Sequence, residues 1–193
     1  MGDLGRWALL FLLFVVPYTF VVNLLGAFTG NRRLKGSGRM GMLVTTGLST
    51  VASICLMALL VTDDFRYQYV INYSSAYLPL IYKISALWGG NAGSLLLWLW
   101  ILSIYGALAT YINHRHKERM QPIVAAVLSG ILFFFVLLLN TIAQPFALSP
   151  YGAADGNSLN PLLQSPSMTI HPINLYLGYI GFAVPFAYGV AAL

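Results

Sequence analysis

The sequence predicts an all-α integral membrane protein with about five transmembrane helices, two long extracytoplasmic loops and an outward-facing N-terminus. Three observations carry this. The chain is 59% hydrophobic and 8% charged, with a mean hydropathy of +0.77, far from the balance of a soluble domain. Five apolar segments each come close to the roughly 20 residues that a helix needs to cross a bilayer. Seven of the ten Lys and Arg residues fall in two short connections, an asymmetry that fixes orientation in membranes.

The spans are expected over 7–27, 41–61, 94–112, 123–143 and 173–193. Pro17 and Pro185 fall inside two of them, which membrane helices tolerate where neighbours satisfy the freed carbonyl. The first span begins almost at Met1, but no small-residue cleavage site and polar mature domain follow it, so it reads as a retained helix. Arg32, Arg33, Lys35 and Arg39 lie in the first connection and Arg115, Lys117 and Arg119 in the third. The positive-inside rule makes these two cytoplasmic and turns 62–88 and 144–172 outward. Cys55 is the lone cysteine and lies in an apolar run, so neither a disulfide nor a Cys-based metal site forms within this chain. No basic cluster resembles a nucleic-acid surface, and no nucleic-acid partner is expected.

The first outer loop carries Tyr67, Tyr69, Tyr73, Tyr77 and Tyr82. Leu80, Ile84, Leu87 and Trp88 recur at helical spacing, which predicts a short amphipathic helix in the outer interface. It is either one wall of a groove or a simple surface anchor. It leads into Trp88-Gly89-Gly90-Asn91-Ala92-Gly93-Ser94, which runs without a break through Trp98 to Trp100. Glycines at a helix mouth give up backbone entropy, and they are useful where a flat ligand approaches the backbone between stacking tryptophans. An interfacial aromatic belt is the competing reading.

The second outer loop contains the turn dipeptides Asp155-Gly156 and Asn160-Pro161, so it is an ordered loop rather than a linker. It ends at Ile170-His171-Pro172. Proline suits a first helical turn, which predicts His171 near the N-cap of the fifth span.

His114 and His116 belong to the basic stretch 113–119 and read as a solvated positive-inside signal. His171 is the one histidine on the outer face, near Tyr176 and Tyr179. A neutral imidazole there is either an interfacial hydrogen-bonding group or a metal ligand. Iron in haem is the natural partner for a site that also offers tryptophan and glycine. The five acidic residues, Asp3, Asp63, Asp64, Glu118 and Asp155, all lie outside the spans. They form no carboxylate pair or Ser-His-Asp set, which removes support for hydrolysis. Without ionisable groups at membrane depth, an ion-coupled transporter is also unsupported.

Two blocks of the sequence resemble a known family. Tyr82-Lys83-Ile84-Ser85-Ala86-Leu87-Trp88-Gly89-Gly90-Asn91-Ala92-Gly93-Ser94-Leu95-Leu96-Leu97-Trp98 is similar to the tryptophan-rich WWD signature of the CcmF family of cytochrome c maturation proteins. Asp155-Gly156-Asn157-Ser158-Leu159-Asn160-Pro161-Leu162-Leu163-Gln164, then Ile170-His171-Pro172 and Tyr176-Leu177-Gly178-Tyr179-Ile180-Gly181-Phe182, resembles that family's second block. The likeness covers roughly 65–193, while the two spans of 1–62 match in character. It implies two N-terminal helices followed by the start of a haem-handling domain, in the N-terminal portion of a longer protein.

The resemblance also implies a subunit of the haem lyase complex of the bacterial cytoplasmic membrane. It would present b-type haem, before attachment, to the CxxCH motif of apocytochrome c. Haem would lie against Trp88, Gly89, Gly90, Gly93, Ser94 and Trp98, with His171 as an axial ligand to the iron. The implied partners are a haem chaperone, other maturation subunits, apocytochrome c and membrane lipid. A non-catalytic scaffold, a haem-delivery channel subunit and a nitrite-reductase maturation homologue share these motifs. Two departures stand out: Asn91-Ala92 replaces the family's frequent His-Glu, and Ile173 follows Pro172 where a second proline is common.

Overall fold

The computed structural model describes residues 1–112 and 120–193. The basic stretch with His114, Arg115, His116, Lys117, Glu118 and Arg119 lies outside the described residues. Eight α-helices are described: α1 (Gly2–Thr29), α2 (Arg32–Val61), α3 (Gln68–Tyr73), α4 (Leu80–Ser85), α5 (Asn91–Ile112), α6 (Gln121–Leu138), α7 (Pro166–Gly181) and α8 (Ala183–Ala192). Among the described residues, five helical stretches are long and apolar enough to cross a membrane, namely α1, α2, α5, α6 with its π-helical extension Leu139–Ala143, and α7 with α8. The fold class expected from composition and span length is the one observed.

α1 and α2 form an antiparallel hairpin, α6 packs on α1, and α5 lies between α2 and α6. α7 leans on α5, and α8 on α6. Lipid tails are as apolar as leucine, so membrane helices associate through close backbone approach and interhelical hydrogen bonds. Both devices are present. Gly41 of α2 sits directly against Thr19 of α1, and Gly38 against Asn23. Between α2 and α5, Thr46 Oγ1 donates to the Ser103 carbonyl at 2.8 Å, Ser49 and Ser103 share a 2.8 Å hydroxyl bond, and Trp100 Nε1 donates to Thr50 Oγ1 at 2.8 Å.

Helix starts lie earlier than the apolar pattern suggested. α2 begins at Arg32, so Arg32, Arg33, Lys35 and Arg39 belong to its first turns rather than to a loop. Left-handed Gly30 (φ 67°) ends α1, and the Asn31 side chain accepts from Arg33 N at 2.9 Å, so two residues make the whole turn. The fifth span begins at Pro166, not near 173, because Ser165 caps it by accepting from Met168 N at 3.3 Å and Pro166 fills the first position. His171 is therefore inside α7, a turn and a half past the cap, and not at the N-cap. The span is interrupted at Phe182, three residues before Pro185, whose ring excludes the helical carbonyl four positions earlier.

Both long connections cover one end of the bundle. An antiparallel bridge joins Tyr67 and Leu148, Gln68 N donates to the Ala147 carbonyl at 2.9 Å, and Ser149 N to the Arg66 carbonyl at 2.8 Å. The α1–α2 turn lies at the other, basic end.

Candidate functional site

The predicted interfacial helix is α4, followed by one 3-10 turn, Ala86–Trp88. Leu80 and Ile84 face outward as expected, but Leu87 is buried, because the tighter turn rotates it inward. Lys83 also points in and pairs with Asp63, whose other carboxylate oxygen accepts from Ser74 Oγ at 2.9 Å. This ion pair fastens the tryptophan-rich block to the end of α2. Lys83→Ala strands the Asp63 charge and is expected to destabilise by about 1–3 kcal/mol, whereas Asp63→Asn with Lys83→Met recovers most of that. Thermal unfolding of both variants in detergent checks it.

None of the glycines of this block has a positive φ, and Gly89 sits at −71°. Their use is the missing Cβ. A methyl on Gly89 would meet Leu159 Cδ1 at 2.6 Å, one on Gly90 would enter the Tyr73 ring, and one on Gly93 would strike the Leu87 carbonyl and the Tyr69 hydroxyl. The space expected for a flat ligand on that side is filled by protein. Tyr69 belongs to α3, a helix the sequence pattern did not announce, and its hydroxyl donates toward the Ala86 and Leu87 carbonyls at 2.9 and 3.1 Å. Burial pushes the phenol far above its ordinary value, so it remains a donor. Ser94 Oγ donates to the Trp88 carbonyl at 3.0 Å. The turn is thus clamped from both sides.

The second block closes onto the first. Asp155 accepts from Ala76 N at 2.9 Å, Asn157 N donates to Ile71 O at 2.7 Å, and Ser158 N to Ser74 O at 3.0 Å. Gly156 lies flat against the Ser74 carbonyl. Leu159, 2% exposed, then enters the notch over Gly89. The two sequence blocks therefore meet as one packed unit, through Leu159 and Gly89, which neither block alone predicts. Arg66 holds the Asp64 carboxyl below the usual range through bonds of 2.7 and 2.6 Å at the exposed margin of this unit.

Trp98, the other predicted aromatic wall, lies one helical stretch below. Its ring meets Tyr176 edge-on at 5.5 Å, Tyr179 at 6.1 Å and Phe135 at 5.9 Å. Tyr105 adds a hydroxyl bond to the Leu177 carbonyl at 3.0 Å. These contacts seat α7 by the face carrying Thr169, Tyr176 and Ile180. At 3.6 residues per turn, His171, Asn174, Leu175 and Gly178 fall on the opposite face, and all four are exposed. The structure consequently brings Trp88, Gly89, Gly90, Gly93 and Ser94 together, and links Trp98 to α7, but turns His171 away from the tryptophans.

That outer face of α7 is unusually bare. In the apolar 18-residue stretch of the fifth span 11% is buried, against 39–56% in those of the other four. His171 thus projects from an apolar strip that includes Leu175 and Phe182, with open space over Gly178. Among the described residues no three His, Cys, Asp or Glu groups converge. A bare ion has no cage here, but haem brings four nitrogens of its own and needs only axial ligands. A flat apolar strip with one imidazole fits that group. Trp98 Nε1 is buried with no hydrogen-bond partner among the described residues. Trp98→Phe is accordingly expected to cost no more than about 1 kcal/mol in a detergent melt, since the donor it removes is unsatisfied.

Comparison with known proteins agrees with this architecture. A sequence profile described as Cytochrome C assembly protein matches residues 88–193. CcmF of Haemophilus influenzae, a cytochrome c-type biogenesis protein, is 36% identical over 200 aligned positions, covering 100% of this chain and 30% of the relative. CcmF of Pseudomonas aeruginosa is 38% identical over 192 positions, 99% of this chain and 29% of the relative. The biogenesis protein NrfE of Haemophilus influenzae is 37% identical over 147 positions, 76% of this chain and 23% of the relative. A solved structure described as Cytochrome c Heme Lyase CcmF superposes with a TM-score of 0.83 at 28% identity, over 99% of this chain and 30% of that one. The chain spans about 30% of the length of the relatives that align along all of it.

Proposed function

This chain belongs to the cytochrome c assembly protein family, and from that premise we propose that it presents haem for covalent attachment to apocytochrome c. The observation that carries the proposal is His171: an exposed imidazole on the bare apolar face of a helix that Trp98 seats from behind. The proposed setting is the bacterial cytoplasmic membrane. The basic residues of α2 and of 113–119 support a cytoplasmic location for that end, and so a periplasmic one for both sequence blocks. The first two spans then act as a support for the haem-handling unit of 63–193.

Haem is the substrate, expected b-type from a chaperone, and His171 would hold its iron through an imidazole nitrogen. A further ligand would come from the remainder of the protein, another maturation subunit, or the CxxCH motif itself. Trp98 seats α7 from behind, Trp88, Gly89, Gly90, Gly93 and Ser94 form the packed turn at the head of α5, and the half-exposed Trp88 edge offers further stacking surface. In the attachment step each motif thiol adds across a haem vinyl group: sulfur bonds to one vinyl carbon and the proton goes to the other. No net oxidation occurs. The contribution of this chain is placement, which converts an encounter of three groups into a local reaction.

Haem-stained gels and a pyridine haemochrome spectrum of the full-length protein, purified from cells making c-type cytochromes, test the proposal. Co-purifying non-covalent haem is expected. Protein that carries none, from cells whose cytochromes mature normally, would overturn it. Identity to NrfE over three-quarters of the chain supports a second reading, service to a nitrite-reductase apocytochrome. Deleting the gene and seeing which holocytochrome disappears separates the two.

A further inference from the structure

At the basic end, away from the haem-handling unit, the α1–α2 turn, the end of α5 and the start of α6 enclose a cavity of about 510 Å³. That volume lies within the range of small-ligand sites. Arg32, Lys35 and Arg39 line it from α2, and their i, i+3, i+7 spacing puts all three on one face. Asn23, Thr110 and Gln121, each at least 92% buried, supply a polar wall. Gln121 Nε2 is held by the Thr110 carbonyl at 3.1 Å, which fixes the α5–α6 side. Among the described residues, none of the three cations meets a carboxylate.

Three cations with no carboxylate partner among the described residues, around a polar recess, select an anion with several acceptor oxygens, and a phosphate group answers that description. The surroundings narrow the source. Met40 adjoins Arg39 and Leu43 lies one turn further along α2, 60% and 41% exposed, in a span long and apolar enough to cross a membrane. An apolar track therefore leaves the basic recess along the membrane-facing side of the bundle. We propose that this cavity binds the phosphate of an anionic phospholipid, with its acyl chains on Met40 and Leu43. Basic pockets between spans are a recurrent way of holding such headgroups. The site does not depend on haem or on the residues assigned to it.

The test uses the full-length protein in a neutral detergent, with native mass spectrometry and a thermal melt as readouts. Phosphatidylglycerol is expected to bind and raise the melting temperature, and phosphatidylcholine to do neither. Lys35→Gln with Arg39→Gln should raise the half-saturating phosphatidylglycerol concentration by about tenfold or more, since each basic residue contributes several-fold. Arg33→Gln removes a charge from the same segment without lining the cavity, and is expected to bind as the unmodified protein does. Equal binding of phosphatidylcholine, an unchanged double variant, or the same loss in Arg33→Gln would overturn the proposal. So would inorganic phosphate stabilising the protein at the same concentration as the phospholipid, which would assign the recess to the free anion.

Discussion

His171→Ala is expected to abolish maturation of c-type cytochromes while leaving the protein in the membrane at its normal level. The structure separates these two outcomes. His171 is exposed on the outer face of α7, and no described hydrogen bond or ion pair rests on it. The helix is held elsewhere: by Ser165 at its cap, by Trp98 against Tyr176 and Tyr179, and by the Tyr105 hydroxyl on the Leu177 carbonyl. Alanine is also a better helix former than histidine. Folding should therefore change by no more than about 0.5 kcal/mol, as for other exposed positions. The loss falls on the one group that can enter an iron coordination sphere from this strip. Haem staining of cytochromes in a complemented deletion strain, with an immunoblot of the membrane fraction, reads both. Normal holocytochrome in the variant would remove His171 from the mechanism.

Gly93→Ala should give the opposite pattern, loss of the folded protein itself. Its Cβ would collide with the Leu87 carbonyl and the Tyr69 hydroxyl. The carbonyl belongs to the 3-10 turn, and the hydroxyl is already bonded to that turn. Neither can retreat without unwinding the block. Ordinary overpacking costs about 1–3 kcal/mol, and a clash with fixed backbone belongs at or above the top of that range. Gly47→Ala in α2 is the matched control, with nothing within 4 Å of its added methyl. It should stabilise by up to about 1 kcal/mol through reduced backbone entropy in the unfolded chain. Melting curves of the two variants in detergent, and their yield from membranes, distinguish a packing role for the glycine from a ligand-contact role.

The spans were legible because an uninterrupted apolar run of bilayer length has few other uses. Their starts were less so. Ser165-Pro166 is a cap-and-first-position signal, but the polar segment after it hid a helix that begins well before the apolar run. That offset moved His171 from the helix mouth into the helix and set its rotation relative to Trp98. α3 is six residues long and too short for a period to declare itself. Of its tyrosines, Tyr69 is buried against Gly93 and Tyr73 is half-buried against Gly90. The glycines read as room for a flat ligand, whereas protein groups lie where their Cβ atoms would be. What approaches them comes from residues 17 to 70 positions away, Tyr73, Tyr69 and Leu159, and no local pattern states such a partner. The Lys83–Asp63 pair was hidden for the same reason.

The central claim is that His171 ligates haem iron, and a haem titration of the full-length protein tests it most directly. With ferric haem, the unmodified protein should develop the Soret spectrum of an imidazole-ligated iron. His171→Ala should not, and free imidazole added to that variant should restore the spectrum, because it fills the position that the side chain vacated. A Soret band in His171→Ala that matches the unmodified protein, with no response to imidazole, would contradict the assignment.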